Sequence, residues 1–267
     1  MTEISAKLVK QLREETGAGM MDCKRALQDT GGDLEAAKRL LREKGMAQAG
    51  KRAGRATTEG LVGHRVDADH GTMVAVGCET EPVAKNDEFQ AFARKVLEVV
   101  DAEGVGAEQK LEDERVELVA KLGENVTLAG AARFVVVDGS TISAYVHPPA
   151  NKVGALVNLG GGSPDLARRL AMHVAWSEPS WIGREDVPEE ILTAEREIYA
   201  SSDEVQSKPE QAREKIVDGM MNKRFFAERG GALLDQPWIH EQSKTAGQVL
   251  ADEGAEVLEF ERFALGG

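Results

Sequence analysis

The densest group of chemically capable side chains in the 267-residue sequence is Cys78-Glu79-Thr80-Glu81-Pro82-Val83-Ala84-Lys85-Asn86. Glu79 and Glu81 stand one residue apart beside a thiol, an arrangement that suits acid–base work or metal binding. Two other readings fit the same residues. Pro82 can punctuate an ordinary turn between two elements, and a short loop anchored at both ends can present a rigid probe to another protein. Gly160-Gly161-Gly162-Ser163 ahead of a helix offers backbone amides to an anion, or is a plain strand-to-helix turn, since no lysine follows. Histidines stand at 64, 70, 147, 173 and 240 without the spacing of a triad or a metal motif. Cys23 and Cys78 are too few and too isolated for a disulfide framework or a zinc site. GxxxxGK[ST], GxGxxG behind a strand, GxSxG, CxxC and HExxH are all missing. An enzyme is therefore not expected, nor a cofactor, nor a bound metal.

The elements around these residues come next. Segment 78–86 is wedged between an apolar strand and the strongest amphipathic helix of the chain. That helix is capped by Asn86 or Asp87 and carries Phe89, Phe92, Ala93, Val96, Leu97 and Val100 on one side. Upstream, LVGHRV and TMVAVGC flank a polar turn at 67–71 and read as a hairpin. A charged helix over Glu108–Lys121 ends at Gly123. VTLAGAARFVVV, TISAYVH and VGALVNL then read as strands of a second sheet, with a turn at Asp138-Gly139. Ser163 caps and Pro164 opens a helix through Leu166, Leu170 and Val174. From Pro188 to Phe226 the pattern is a projecting hairpin of two polar helices, broken at Ser207-Lys208-Pro209, with Ile191, Ile198 and Val205 spaced by sevens. Ser243 begins a last helix, and EVLEFERFAL supplies a strand that returns to the second sheet.

The first forty-five residues read as a three-helix module. Ser5 caps helix one, whose stripe is Ile4, Leu8, Val9 and Leu12, and Thr16-Gly17 stops it. Helix two sets Met20, Cys23 and Leu27 at i, i+3 and i+7. Gly31-Gly32 ends it, Asp33 caps helix three, and Leu34, Ala37, Leu40 and Leu41 repeat the stripe before Gly45. Adjacent helical residues lie about 100° apart, so one of Met20 and Met21 stays outside as an adaptable contact. MAQAGKRAGRATTEG after Gly45 is a linker or a weak helix, whose Lys51, Arg52 and Arg55 are either solvated or near an acidic partner.

Composition narrows the class. Net charge is −13, which argues against a chain whose main business is gripping the phosphate backbone of nucleic acid. Aromatic residues make up 4%, so the cores must be aliphatic. No apolar run approaches the roughly 20 residues of a membrane span, and MTEISAKLVKQ is a capped helix rather than a signal peptide. A cytoplasmic protein is expected, and Asn125-Val126-Thr127 is then a chance match to a glycosylation sequon.

Taken in order, TGAGMMDCKRAL, GGDLEAAKRLLREKG, CETEPVAKNDEFQAFA, LGEN, AYVH, VPEEILTAEREI and KPEQAREKIVDG resemble the elongation factor Ts family over essentially the whole chain. The resemblance implies an α+β fold: a ubiquitin-associated-like module at 1–46, a linker at 47–59, core subdomain N at 60–140, a related core subdomain C at 141–180 and 229–267, and a dimerisation-type helical hairpin at 181–228. It implies guanine-nucleotide exchange on elongation factor Tu, without covalent chemistry, cofactor, membrane or direct nucleic-acid contact. Arg13, Met20, Met21 and Lys24 stand at positions that grip the partner's nucleotide domain, and Leu122-Gly123-Glu124-Asn125 matches a further contact there. Thr80-Glu81-Pro82-Val83 corresponds to the loop, usually TDFV, that disturbs the partner's magnesium ion, and His147 to a contact with another partner domain. Glu81 and Pro82 replace the usual Asp and Phe, so the aromatic wedge is missing. The competing reading is a scaffold that binds partners through its three-helix module and has weakened or lost exchange.

Overall fold

Ser5 starts the first helix because its Oγ accepts the Leu8 amide at 3.2 Å, and Gly17 stops it in the left-handed conformation. The computed structural model describes residues 4–266, and this helix is α1 (Ala6–Thr16). It packs with α2 (Met20–Asp29) and α3 (Leu34–Arg52) around Val9, Leu12, Cys23, Ala26, Leu27 and Ala37. Met20, expected within the stripe of α2, is exposed, because Cys23, Ala26 and Leu27 take the inward positions. α3 does not stop at Gly45. It runs on to Arg52, so the first part of the segment read as a linker or a weak helix is helical and the rest is not.

β1 (Glu59–Val66) and β2 (His70–Cys78) form the expected hairpin. A short turn of helix, α4 (Glu81–Ala84), leads into α5 (Asp87–Glu103), capped by the Asn86 side chain through the Glu88 and Phe89 amides. α6 (Glu112–Leu122) follows, closed by Gly123 at φ 78°. β3 (Val126–Val135) then pairs antiparallel with β2 rather than joining a second sheet. β2 is buried from Gly71 to Cys78 on both faces, and a strand so enclosed needs ladder partners on both edges. The contact between α3 and α6 explains the length of α3. A Cβ built on Gly45 would lie 2.8 Å from the Ala120 Cβ, so glycine here is a spacer that lets two helices touch.

The second sheet has the same order, with β5 (Val153–Gly160) between β4 (Thr141–Val146) and β6 (Glu256–Ala264). The two sheets lie face to face over Val62, Met73, Ala75, Ala132, Ile142, Leu156 and Leu265. The period of two decides which side chain goes where. Val74, Val76 and Cys78 of β2 face α5 and α6, whereas Met73 and Ala75 face the other sheet. In β5, Ala155, Val157 and Leu159 face α7 (Pro164–Ser177) and Leu156 faces inward. Both sheets carry a bulge at the equivalent ladder, skipping Ala129 in β3 and Leu258 in β6.

The helical hairpin is built of α8 (Glu189–Ser201), α9 (Asp203–Gln206) and α10 (Glu210–Met220), which continues as a π-turn over Met221–Phe226. It has its own small core of Val187, Val205, Val217, Met220, Met221 and Phe226. Ile198 stands outside this core at 59% exposure, so the spacing by sevens is not one continuous seam. α11 (Ala246–Asp252) begins later than expected. Thr245 and Gln248 cap each other's amides, whereas the Ser243 hydroxyl is turned to Glu241.

Candidate functional site

Cys78 pairs with Val126, so the chain leaving β2 and the chain entering β3 run side by side. Their side chains cross over. Glu79 Oε1 accepts the Asn125 amide at 2.6 Å, while Glu124 accepts the Thr80 hydroxyl at 2.6 Å and the Thr80 amide at 3.0 Å. Arg55 adds its guanidinium to Glu79 at 3.3 Å. Asn125 is buried, and its side-chain amide donates to the Arg55 carbonyl at 2.9 Å, which ties the segment between α3 and β1 into the same knot. The part of Glu79 and Arg55 in this clasp was not read from the sequence. Nothing local announces a bond between residues so far apart.

The clasp bears on one of the readings of the segment, the carboxylate pair. Glu79 is committed to Asn125 and Arg55, whereas Glu81 points outward and pairs with Lys85 at 2.7 Å, so the two carboxylates do not converge on a substrate. The hydrogen bond from Lys85 holds the Glu81 carboxyl below its usual range, which makes it a poor proton donor at neutral pH. Burial, with the Glu124 charge nearby, pushes the Cys78 thiol up to about 12, so it is no nucleophile. The segment is an exposed turn that opens α4. Thr80, Glu81 and Pro82 are exposed, while Val83 packs on the core cluster that contains Phe89. Pro82 lies in the first turn of α4, where its missing N–H costs no helical bond.

A second exposed group lies on the three-helix module. Met20 and Met21 are 56% and 63% exposed, beside exposed Arg13 and Lys24. Both methionines face solvent, not one of them. The α3–α6 contact and an Arg42–Asp113 ion pair at 3.1 Å fix the module to α6, whose far end is Leu122-Gly123-Glu124. Module and clasp thus hang on one helix.

His147 lies apart from both groups, just beyond β4 in the second sheet, with Nδ1 2.8 Å from the Tyr145 hydroxyl. It lines an open cavity of about 700 Å3 with Trp176, Arg229 and Arg262. Trp176 is 65% exposed and was not singled out from the sequence. The available signal was its place on α7 off the buried stripe of Leu166, Leu170 and Val174.

Residues 79–267 match the family model described as elongation factor TS. Over 272 aligned residues the chain is 41% identical to elongation factor Ts of Escherichia coli O139:H28 (strain E24377A / ETEC), covering 100% of this chain and 93% of that protein. Elongation factor Ts of Shigella boydii serotype 18 gives the same identity and coverage. The chain belongs to the elongation factor Ts family. Members of the elongation factor Ts family are translation elongation factors, and the observed mixture of helices and two small antiparallel sheets is the α+β fold that the resemblance implied. The family model begins at Glu79, so the three-helix module is tied to elongation factor Ts by the full-length relatives. Among the described residues no helix is long and apolar enough to cross a membrane.

Proposed function

We propose that this chain is a guanine-nucleotide exchange factor for elongation factor Tu, acting without making or breaking a bond. The observation that carries the reading is the reciprocal clasp, which braces the exposed tip Thr80-Glu81-Pro82 against Glu124 and Asn125, just beyond the end of the helix that carries the module. In this mechanism Arg13, Met20, Met21 and Lys24 grip the nucleotide domain, with Leu122, Gly123 and Glu124 beside them. The tip presses on helices next to the nucleotide, so that magnesium and phosphate contacts loosen. Asn125 contributes by bracing, since its side chain is occupied internally. His147 and the cavity beside it meet a further domain of the partner.

Linkage sets the energetics. A factor that weakens GDP binding is itself weakened by GDP in the same ratio, and direction comes from the excess of GTP that refills the site. A thousandfold loss of GDP affinity needs about 4 kcal/mol of differential contact. Fully burying one large apolar side chain contributes about 1.5–3 kcal/mol, and only the part of such burial made in the emptied form and not in the GDP-bound one counts toward that figure. The deciding experiment is stopped-flow release of fluorescent GDP from elongation factor Tu. Acceleration by the chain supports exchange, and release no faster than the spontaneous rate, with binding retained, leaves a scaffold instead.

A further inference from the structure

A separate group of charged side chains gathers where the β1–β2 turn meets the C-terminal end of α5. The Asp67 amide donates to the His70 carbonyl at 2.8 Å, which closes the turn and gathers Asp67, Asp69 and His70 at its tip. His70 Nδ1 lies 2.7 Å from Asp69 Oδ1. Its Nε2 lies 3.0 Å from Asp101 Oδ1 and 4.0 Å from Asp67 Oδ2. Asp101 is buried on α5, where Oδ1 also accepts the Thr72 hydroxyl at 2.8 Å and Oδ2 accepts Arg65 at 3.0 Å.

A neutral imidazole carries one proton and cannot donate from both nitrogens. Asp69 holds the shorter contact; with the one proton on Nδ1, the Nε2 lone pair faces two carboxylates. Such an arrangement is repulsive unless a second proton or a metal cation stands between them. A carboxylate behind one ring nitrogen is also how proteins orient a metal-bound histidine. We propose that Asp67, His70 and Asp101 form a binding site for a divalent transition-metal ion of the zinc class, with Asp69 as the residue that orients the ring.

The dimensions agree. The three donor atoms lie within 4.8 Å of one another. Zinc bonds of about 2.0–2.2 Å place tetrahedral ligand atoms about 3.3 Å apart. The 3.0 Å separation must open by about 0.3 Å to meet this, and the 4.0 Å one closes by rotation of the half-exposed Asp67 side chain. A nitrogen donor with two oxygens selects Zn2+, Ni2+ or Cu2+ over Mg2+ and Ca2+, which take oxygen alone. Three protein ligands leave the fourth position to water. Arg65 on the far oxygen of Asp101, and Arg133 on the Asp101 carbonyl, oppose the added charge and keep the affinity moderate. The bound ion would staple the hairpin tip to the end of α5.

The test uses the untagged full-length chain, titrated with ZnCl2 and with MgCl2, and read by the ring-nitrogen NMR signals of His70 and by calorimetry. One equivalent of zinc is expected to move the Nε2 signal while Nδ1 stays protonated, and magnesium to move neither. Zinc affinity should fall at least tenfold in Asp69→Asn and in Asp67→Asn, and vanish in His70→Gln. Asp67 is half exposed, so its variant keeps the fold. Ring signals unmoved by zinc would assign the position to a proton and overturn the site. So would unchanged zinc affinity in Asp67→Asn and His70→Gln, or an equal response to magnesium.

Discussion

Glu124 takes both polar hydrogens of Thr80, the hydroxyl on one carboxylate oxygen and the amide on the other. Thr80 is the N-cap residue of α4, yet its hydroxyl caps nothing, because it is spent on Glu124. The start of the exposed tip is therefore set by a residue on the opposite strand-leading segment, and Glu79 and Asn125 repeat the bond in the other direction.

Replacing Glu124 by Ala removes the acceptor of both Thr80 hydrogens. A net hydrogen bond is worth about 1 kcal/mol. GDP release from elongation factor Tu is expected to slow about fivefold at equal occupancy, with the free protein destabilised by no more than about 1–2 kcal/mol. An undiminished rate in stopped flow would show that the tip needs no brace.

Pro82→Phe restores the bulk that the family usually carries in this loop. The substitution sits in an exposed first helical turn, so the fold tolerates it. Adding part of the 1.5–3 kcal/mol of a buried aromatic should speed GDP release about fivefold. A rate equal to or below that of the unaltered chain defeats the wedge argument.

Gly45→Ala inverts the usual helix rule. In an open helix alanine stabilises by about 1 kcal/mol over glycine. Here the new methyl meets the Ala120 Cβ at 2.8 Å, and neither backbone can yield without moving the module. Urea unfolding should show destabilisation by about 1–3 kcal/mol. Ala120→Gly in the same chain should recover most of it, and purely additive effects would mean that the two helices do not share this contact.

His173 is fully buried and stacks on Trp238 at 4.9 Å. Burial pushes its pKa down to about 4. The unfolded chain binds a proton near 6.5 while the folded one refuses it, so this contribution to stability is complete above 6.5 and lost as the pH falls toward 4. The interval corresponds to about 3 kcal/mol. Urea midpoints measured from pH 7 down to pH 4 should fall less steeply in His173→Gln than in the unaltered chain, and parallel slopes would exclude His173 as the cause.

What could be read beforehand follows the range of the interactions. The caps at Ser5, Asp33, Asn86 and Ser163 were legible because each bonds an amide within three residues. The partner of Val126–Val135 was not, because strand pairing joins distant residues and the strand pattern does not name its neighbour. Gly45 looked like a stop because a glycine that ends a helix and one that admits a neighbouring helix are the same letter. The exposed tip and the segment that braces it were visible through family resemblance. Their mutual bonds, the part of Arg55, and the exposure of Trp176 needed coordinates.

The order of strands has a consequence for assembly. In each sheet the last strand returns to the middle one only after a helical excursion, and β6 comes back from the far end of the chain. Contacts so remote in sequence form slowly. As the polypeptide emerges during synthesis, the N-terminal half can close its sheet once β3 is out. Its inner face, with Met73 and Ala75, then waits uncovered for a second layer whose last strand is made only after α7 to α11, and that interval is when a nascent chain is most open to premature association.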